Sequence, residues 1–589
     1  MSVNKKVSRH EKSEDKKTAL PESWLKSQTA IRPLRQSAIP LPGWAGVLIL
    51  IIATAGLNSV GIKWGLPENT PWNSDSIAGL KTVQMMPRLF KSWRMQDAGG
   101  NLLVDKEGNP VIERYPRAQF IITGMLYKPF IKHWEKEPFH YRDSRTGRTY
   151  ADWRSTDRIS TLILISRIVT VIMAAGAVVG VFAATRLLCR DSLVGFLAAM
   201  VLMLSAEFTY FSHLGNLDTP VTFWFIWTAY WLVKGMQKPL LRYFVLAGIF
   251  AGLVVCTKDA SYGHLAGVGL FTIGTAACYY WRKYHSAAGL ARVLLDQRLW
   301  AGAICFAIVF LIMNNVLTDY AAFTARVRHW MSIKYDYFNP QLMLFVRAVG
   351  CVLQDCGLAM FVALMLSLLY CAWKYPTRAL WAVSAFLAFH IIVTIGALQV
   401  QPRYHLPSLT VLGAVFGLAG RDLLEAKRIP AVLRYLPLVV VVILAGMFSA
   451  AIDAEMVNES RYRAEAWIRD NVNKQTDVIT FISPRTYMPR SANEGYKVRY
   501  AHKWRGTTAE SIKDRPKLIA MSDMWYLDPI HFDQEFREKL LAEKMGYRMI
   551  AEFGPRFTPP AKSIFSPALY LMRVRKVLSP EIVFMERVD

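Results

Sequence analysis

The polar segments of this sequence contain no cysteine. All seven cysteines lie within or beside apolar runs, at Cys189, Cys256, Cys278, Cys305, Cys351, Cys356 and Cys371. Disulfide frameworks and cysteine-based zinc sites need closely spaced cysteines in polar segments. Neither kind of site is therefore predicted.

The sequence also lacks a glycine-rich phosphate loop. Although it has 35 glycines, no glycine-rich turn opens a helix after a strand in the polar segments. Nucleotide-binding crevices are built on such turns. A nucleotide cofactor or nucleotide-sugar donor is therefore not predicted.

Acidic residues are scarce relative to basic ones. There are 44 Asp and Glu residues against 70 Lys and Arg residues, a formal net charge of +26. No basic stripe interleaved with aromatic residues stands apart from the apolar runs, as a nucleic-acid-binding surface would require. Membrane topology and contact with anionic lipids account for the charge, so the predicted partners include membrane lipids and no nucleic acid.

Long apolar runs are abundant. Hydrophobic residues make up 53% of the chain, and the mean hydropathy is +0.22. Windows of about 20 apolar residues, the length that spans a bilayer as a helix, recur along the sequence. They lie near 41–66, 159–185, 192–211, 219–236, 241–257, 260–281, 299–316, 343–373, 379–399, 406–420 and 432–452. The sequence predicts a polytopic membrane protein with about eleven spans.

The charges predict which side each loop faces. Residues 1–40 are polar and basic, too long for a cleavable signal peptide, and are predicted to be a disordered cytosolic tail before a signal anchor. With alternating sides, every short inner loop is basic, at 186–191, 234–242, 282–298, 374–378 and 421–434. The positive-inside rule then places the carboxyl terminus on the outer side.

Two long segments fall on the predicted outer side. Segment 67–158 contains two stretches with helix-like apolar spacing, 77–93 and 120–134, which predict helices lying in the membrane interface. Residues 453–589 predict a small α/β domain, with helices at "ESRYRAEAWIRDNV" and "DQEFREKLLAEKM" and strands at "DVITFIS", "PKLIAMS", "YRMIAEF" and "ALYLMRV". The predicted fold is therefore an all-α membrane domain over 41–452 followed by an extracytoplasmic α/β domain.

Ionisable residues cluster on the same predicted side. They are Asp75 in "WNSDSIAGL", Asp218 in "GNLDTP", Lys258 and Asp259 in "CTKDASYG", and Arg403 in "QPRYHLP". Charged groups at the ends of spans are costly unless they are paired or hydrated. Their shared side therefore predicts a functional site.

Several short motifs around these residues occur in one order: Asp75, "YPRAQF" (115–120), "GNLDTP", "GLVVCTK" (252–258), "PRYHLPSL" (402–409) and "RAEAWIRDNV". In this order the sequence resembles the C-class (GT-C) polytopic glycosyltransferases that use polyprenyl- or dolichyl-phosphate sugars, the superfamily of protein O-mannosyltransferases and aminoarabinose transferases. It departs from the family pattern at Ser76, where members often have a second acid. That departure leaves a metal or acceptor role for such an acid open.

The resemblance implies an extracytoplasmic site in a multi-pass membrane protein, predicted for the bacterial inner membrane. It implies inverting transfer of a sugar from polyprenyl phosphate to a hydroxyl of a protein, lipid or cell-envelope glycan. Its implied residue roles are a catalytic Asp75; donor-phosphate ligands Lys258, Arg403 and Tyr404; acceptor, metal or second-acid residues Asp218, Asn216 and Asp259; and a first-loop motif of Tyr115, Pro116 and Arg117. A divalent Mg or Mn ion is left open as a cofactor.

The residue types suit this chemistry. Phosphate is an anionic leaving group that needs no protonation, so one carboxylate suffices where a glycosidase uses two. Asp75 is the candidate general base for the acceptor hydroxyl. Lys258 and Arg403 are candidates to hold the phosphate as its charge grows, because arginine can grip phosphate through two parallel hydrogen bonds.

Each residue also has a structural interpretation. Asp75 and Asp218 suit helix caps, Lys258 and Asp259 suit mutual neutralisation at a span end, and Arg403 suits snorkelling to lipid headgroups. The outer histidines, His213, His264 and His405, show no fixed metal-ligand spacing and are predicted to be ordinary interface residues. A secondary transporter and a non-catalytic membrane scaffold remain the alternative functions.

Overall fold

A computed structural model gives the fold of most of the chain. The residues described are 41–67, 77–86, 94, 101–104, 108, 110–111, 115–142, 149–152, 155–335, 342–394, 401–501, 507–523, 532–557 and 578–588. Their helices, in chain order, are α1 (Gly43–Ser59), α2 (Leu80–Met85), α3 (Ala118–Trp134), α4 (Thr156–Cys189), α5 (Ser192–Met203), α6 (Ala206–Ser212), α7 (Asp218–Gln237), α8 (Leu241–Val255), α9 (Tyr262–Tyr284), α10 (Ala287–Ala291), α11 (Gln297–Met313), α12 (Tyr320–Tyr335), α13 (Leu342–Lys374), α14 (Pro376–Phe389), α15 (Leu406–Glu425), α16 (Ala431–Val457), α17 (Ser460–Asn471) and α18 (Gln534–Leu541).

The predicted helical membrane fold is confirmed in its broad form. Each predicted apolar window contains a helix. Four helical segments of the described residues are long and apolar enough to cross a bilayer, or five if the bent pair α5–α6 is one span. Several other helices in the windows are shorter or less apolar, so the number of about eleven spans is not confirmed and stays a prediction.

Two helix breaks shape the bundle beside the polar residues. Helices α5 and α6 meet at an angle of 69°. The Ser205 hydroxyl restarts the helix by accepting the Phe208 backbone N–H at 3.2 Å. Helix α13 is broken at Gly357, whose φ of 73° lies in the left-handed region that glycine adopts most readily. The bend between α5 and α6 turns α6 so that it leads directly into the segment before Asp218.

Small residues let the helices approach closely. Helix α8 packs on α11 where Gly248 faces Gly302, and a Cβ added at Gly248 would lie 2.1 Å from the Gly302 carbonyl oxygen. Helix α5 packs on α15 in the same way, through Gly417 against the Val194 backbone. Lipid tails are as apolar as leucine, so close packing of this kind holds membrane helices together.

The C-terminal unit, residues 460–588, contains a five-stranded sheet. The strands of the described residues are β1 (Phe139–Arg142), β2 (Thr149–Asp152), β3 (Val478–Phe481), β4 (Lys497–Tyr500), β5 (Leu518–Ser522), β6 (Tyr547–Phe553) and β7 (Ile582–Arg587). The sheet order is β4-β3-β5-β7-β6, with β3 parallel to β4 and β5, and β7 antiparallel to β5 and β6. The antiparallel pair β1–β2 lies in the first long loop.

Most of the predicted elements of this unit are confirmed. Helices α17 and α18 and strands β3, β5 and β6 lie in the predicted stretches. The predicted strand "ALYLMRV" lies outside the described residues. Strands β4 and β7 were not predicted from the sequence; β7 is a central strand whose apolar run is buried on both faces, so it lacks the alternation that marks a half-buried strand.

The C-terminal unit contacts the chain just after α1. The Gly65 backbone N–H donates to the Tyr462 hydroxyl at 2.7 Å, and the Arg490 guanidinium donates to the Pro67 carbonyl at 3.4 Å. From the opposite side, the buried Arg167 of α4 donates to the Trp64 carbonyl at 2.7 Å. The start of the first long loop is therefore fixed by both the helical bundle and the sheet unit.

Candidate active site

Asp218 begins α7 at the end of a tight polar turn. The Asn216 side-chain carbonyl accepts the Asp218 backbone N–H at 3.0 Å, and the Gly215 carbonyl accepts the Ile77 backbone N–H at 3.1 Å. Asparagine and glycine favour such turns because one bonds its own backbone and the other tolerates unusual dihedral angles. The turn therefore presents the Asp218 carboxylate at the helix end and brings the first long loop beside it.

Lys258 pairs with Asp218 across the site. It follows α8, and its ammonium forms an ion pair with the Asp218 carboxylate, with both side chains largely buried. The Lys258 Nζ also lies 4.3 Å from the centre of the Tyr404 ring, within the range of a cation–π contact. The structure therefore brings Asp218 and Lys258 together, and their shared functional role stays a prediction.

Asp259 points to a different partner. Its carboxylate pairs with Arg326 of α12, and not with Lys258. The interpretation in which Lys258 and Asp259 simply neutralise each other is therefore wrong. Arg326 was missed because its partner is 67 residues away in sequence.

Arg403 brings a second cation to the site. It lies on a short 3-10 helix, Pro402–His405, with its guanidinium carbon 5.7 Å from the Phe211 ring centre and 5.4 Å from that of Tyr404. Its Nε is buried without a hydrogen-bond partner, and no carboxylate of the described residues is within ion-pair distance of it. The described cluster thus contains two cations and one carboxylate, which is paired with Lys258, and has an excess positive charge.

The charges of this cluster affect the pKa values of Lys258 and Tyr404. Burial lowers the pKa of Lys258, and the Asp218 carboxylate opposes that effect. For Tyr404, burial alone would favour the neutral phenol, but the charges of Lys258 and Arg403 outweigh it and hold its pKa below the ordinary value. A positive potential that favours a phenolate also favours a bound anion.

The first-loop motif packs beside the same cluster. Arg117 is fully buried just before α3, and the Ala118 backbone N–H donates to the Cys256 carbonyl at 2.9 Å, two residues before Lys258. The ring of Tyr115 lies 4.6 Å from the Lys81 ammonium. Tyr115 is also close enough to Arg403 for their charges to interact. Tyr115, Pro116 and Arg117 therefore join the first long loop to the end of α8.

Asp75 lies outside the described residues, so its predicted role stays a prediction. Ile77, two residues later, is hydrogen-bonded to Gly215 in the turn before Asp218. The described chain that follows Asp75 therefore lies beside the Asp218–Lys258 pair.

The outer histidines serve separate structural contacts. His213 contacts the Thr209 and Val60 carbonyls, both at 2.7 Å, and His264 contacts the Tyr404 carbonyl at 2.8 Å. His405 lies between the rings of Phe386 and Phe389.

Within the described residues, no three His, Cys, Asp or Glu side chains form a group that could hold a metal ion. The carboxylate of the described cluster, Asp218, is already paired with Lys258 and so is not free to bind a metal ion. A Mg or Mn cofactor therefore stays a prediction.

The fold and the site together define a helical membrane protein with a cationic cluster where several helices begin or end. Residues 160–295, just under a quarter of the chain, match a family described as dolichyl-phosphate-mannose-protein mannosyltransferase. The matched region runs from α4 to the loop before α11 and includes Asp218 and Lys258. The resemblance predicted from the sequence motifs is confirmed by this match.

Several solved structures match the chain at low similarity. ArnT from Cupriavidus metallidurans, solved with undecaprenyl phosphate, is 13% identical, with a TM-score of 0.43, over 92% of this chain and 98% of its own. The Archaeoglobus fulgidus oligosaccharyltransferase, solved with a tethered acceptor peptide, is 11% identical, with a TM-score of 0.42, over 92% of this chain and 88% of its own. Arabinofuranosyltransferase AftD from Mycobacteria is 12% identical, with a TM-score of 0.40, over 94% of this chain and 40% of its own. No curated protein sequence matches the chain.

Proposed function

We propose that this protein is a membrane glycosyltransferase that moves a sugar from a polyprenyl-phosphate donor to an acceptor hydroxyl of a protein, lipid or cell-envelope glycan. The observation that carries the proposal is the cluster of Lys258 and Arg403 around a single carboxylate, Asp218. Its excess positive charge suits a phosphodiester in a membrane-embedded site. The match to the mannosyltransferase family supports the same chemistry.

In this mechanism the two cations bind the donor phosphate and stabilise the charge that grows on it as the sugar leaves. Asp218 keeps the Lys258 ammonium protonated and oriented, and Asn216 fixes the turn that carries Asp218. Asp75 removes the proton of the acceptor hydroxyl. A single displacement of this kind inverts the configuration at the anomeric carbon.

Two acidic residues are assigned supporting roles. Asp259 holds α12 against the end of α8 through Arg326, and so borders the acceptor side of the cluster. Asp218 is the second acid. It can bind an acceptor or a divalent cation if its contact with Lys258 is replaced by a contact with that group.

Tyr404 contributes a phenol beside both cations, where it can hydrogen-bond a phosphate oxygen.

We place the site and the C-terminal unit on the extracytoplasmic side of the bacterial inner membrane. The chain then divides into a cytosolic tail (1–40), a membrane domain (41–452) and an outer domain (453–589). The support is the basic character of every short loop on the opposite face.

Cysteine labelling tests this topology. The exposed Tyr500 of β4 and His285 of the loop after α9 lie on opposite predicted sides. A membrane-impermeant maleimide should label Tyr500→Cys in intact cells, and His285→Cys only after permeabilisation. The parent chain, with its native cysteines, gives the background to subtract. The reverse pattern would invert the topology and place the site in the cytosol.

The donor class is tested with purified protein freed of donor lipid. We expect sugar transfer from a polyprenyl-phosphate sugar alone, with inverted anomeric configuration in the product, because the site offers cations for a phosphate and no nucleotide crevice is predicted. A nucleotide sugar should give no transfer under the same conditions. Transfer from the nucleotide sugar, with none from the lipid-linked sugar, would refute the proposal.

A further inference from the structure

A cavity lies between helices that lead away from the cluster that contains Lys258. It has a volume of about 360 Å³ and is enclosed by α7, α8, α9 and α11. Helix α7 starts at the site with Asp218, and α8 returns to the site after Val255. Leu232, late in α7, and Phe244, early in α8, both line the cavity. Leu265, early in α9, lines its other end, so the cavity runs along the helices from the side of the cluster to the opposite membrane face, where the loops are basic.

The wall of this cavity is apolar. Besides aliphatic and aromatic side chains it includes two threonines, and their hydroxyls are taken up by their own helices. Thr228 donates to the Trp224 carbonyl at 3.0 Å, and Thr272 to the Val268 carbonyl at 2.8 Å. Among the described residues, no charged side chain lines the wall. Its occupant must therefore be a hydrocarbon, because a sugar would leave its hydroxyl groups without partners.

The cavity opens sideways, where the membrane lies. Leu294, Trp300 and Ile273 line it and are also 72%, 57% and 46% exposed. The Trp300 indole N–H donates to the Leu294 carbonyl at 2.6 Å, which fixes the ring at this edge. Exposed apolar side chains around a lateral opening suit a lipid chain that enters from the bilayer.

Two arginines lie near the opening of the cavity in sequence. Arg292 directly precedes Val293 and Leu294 of the wall, and its guanidinium carbon lies 4.1 Å from the Tyr284 ring centre. Arg242 lies two residues before Phe244 and stacks on Tyr243. Both arginines are exposed, and no carboxylate of the described residues is within ion-pair distance of either.

The nearby acid does not neutralise them. Asp296 is buried and is held by Arg298, at 2.7 Å, and by the Tyr280 hydroxyl, at 2.7 Å. The entrance therefore combines a hydrocarbon-lined pocket with two uncompensated arginines. An anionic phospholipid has the matching parts, an acyl chain and a negatively charged headgroup.

We propose that this cavity binds one acyl chain of an anionic phospholipid, from the leaflet opposite the candidate active site, with the headgroup held by Arg292 and Arg242. The site is separate from the proposed donor site and does not depend on the proposed function. A basic residue near a membrane surface favours an anionic lipid about fivefold, so two of them give a clear preference over a zwitterionic lipid.

Fluorescence quenching of Trp300 tests the proposal in the full-length protein. The protein is placed in nanodiscs with either brominated phosphatidylglycerol or brominated phosphatidylcholine at the same mole fraction. The Trp300 signal is the difference between the parent and Trp300→Phe, which removes the contribution of the other tryptophans. We expect phosphatidylglycerol to quench this signal at several-fold lower mole fraction.

Two pairs of variants separate the parts of the site. Replacing Arg292 and Arg242 together by Gln should abolish the preference, whereas Lys136→Gln, an exposed cation after α3, should leave it unchanged. Gly269 lines the cavity, and an added Cβ there meets no atom within 4 Å, so Gly269→Leu should fill the space and expel the chain. Gly274 of the same helix is equally open but does not line the cavity, so Gly274→Leu is its control.

Three outcomes would overturn the proposal. The first is equal quenching by the two brominated lipids. The second is Gly269→Leu behaving as Gly274→Leu does, with both variants retaining the thermal melting profile of the parent. The third is displacement of brominated phosphatidylglycerol by polyprenyl phosphate but not by unlabelled phosphatidylglycerol, which would assign the cavity to the donor lipid.

Discussion

Replacing Asp75 by asparagine should lower the turnover number by about 10²- to 10⁴-fold, the usual contribution of a general base. Asparagine keeps the shape and the hydrogen-bonding oxygen of the side chain but cannot accept the acceptor proton. Because the base acts on the acceptor, binding of the donor should persist. Steady-state transfer from a polyprenyl-phosphate sugar, measured at saturating acceptor, gives the turnover number.

The control for this variant is Asp97→Asn, which removes the same charge elsewhere in the first long loop. It should leave turnover within a few-fold of the parent value. The dissociation constant of a non-transferable polyprenyl-phosphate analogue should be unchanged in both variants. Near-normal turnover in Asp75→Asn would assign Asp75 to helix capping and leave the reaction without a base.

Replacing the cations of the site should weaken donor binding. Loss of a desolvated charge that pairs with phosphate costs about 2 to 5 kcal/mol, against well under 1 kcal/mol for an exposed charge. Arg403→Gln is the cleaner variant, since no carboxylate of the described residues forms an ion pair with Arg403 and none is left behind. Affinity for the non-transferable analogue is the measurement.

A test of Lys258 requires a double variant that also removes the charge of its ion-pair partner, Asp218. Removing it alone would leave the buried Asp218 carboxylate without its ion-pair partner, which is destabilising in itself. The double variant Lys258→Met with Asp218→Asn removes both charges and should retain the fold while losing donor affinity. Lys374→Gln, whose partially exposed ion pair with Asp422 lies at the far end of α13, should bind the analogue as the parent does. Unchanged affinity in Arg403→Gln and in the double variant would mean that other groups hold the phosphate.

Hydropathy predicted where the helices lie but not how they bend. The window 192–211 is mostly apolar and contains no proline, yet it breaks at Ser205 into α5 and α6. The break depends on the Ser205 hydroxyl capping the second helix, a local choice that average hydrophobicity does not register. The break of α13 at Gly357 was also not predicted, because an isolated glycine is common in straight membrane helices too.

The sequence predicted which charged residues of the described chain lie together, but not all of their partners. Positive-inside sidedness placed Asp218, Lys258 and Arg403 on one face, and the structure brings the three together. The partner of Asp259 was not predictable, because the short sequence distance to Lys258 suggested a local pair while Arg326 reaches it through tertiary packing. Pairing over 67 residues depends on how α12 folds back, which the local pattern does not specify.

The contacts of Tyr462 and Arg490 with Gly65 and Pro67 join residues separated by 397 and 423 positions. A chain grows from its amino terminus, so the segment that follows α1 emerges long before the residues that fix it. Arg167 can hold Trp64 early in synthesis, but the contacts from the C-terminal unit form only when translation is nearly complete. The start of the first long loop therefore gains its full support last, and a nascent or truncated chain that ends before residue 460 has the cation cluster without these contacts at Gly65 and Pro67.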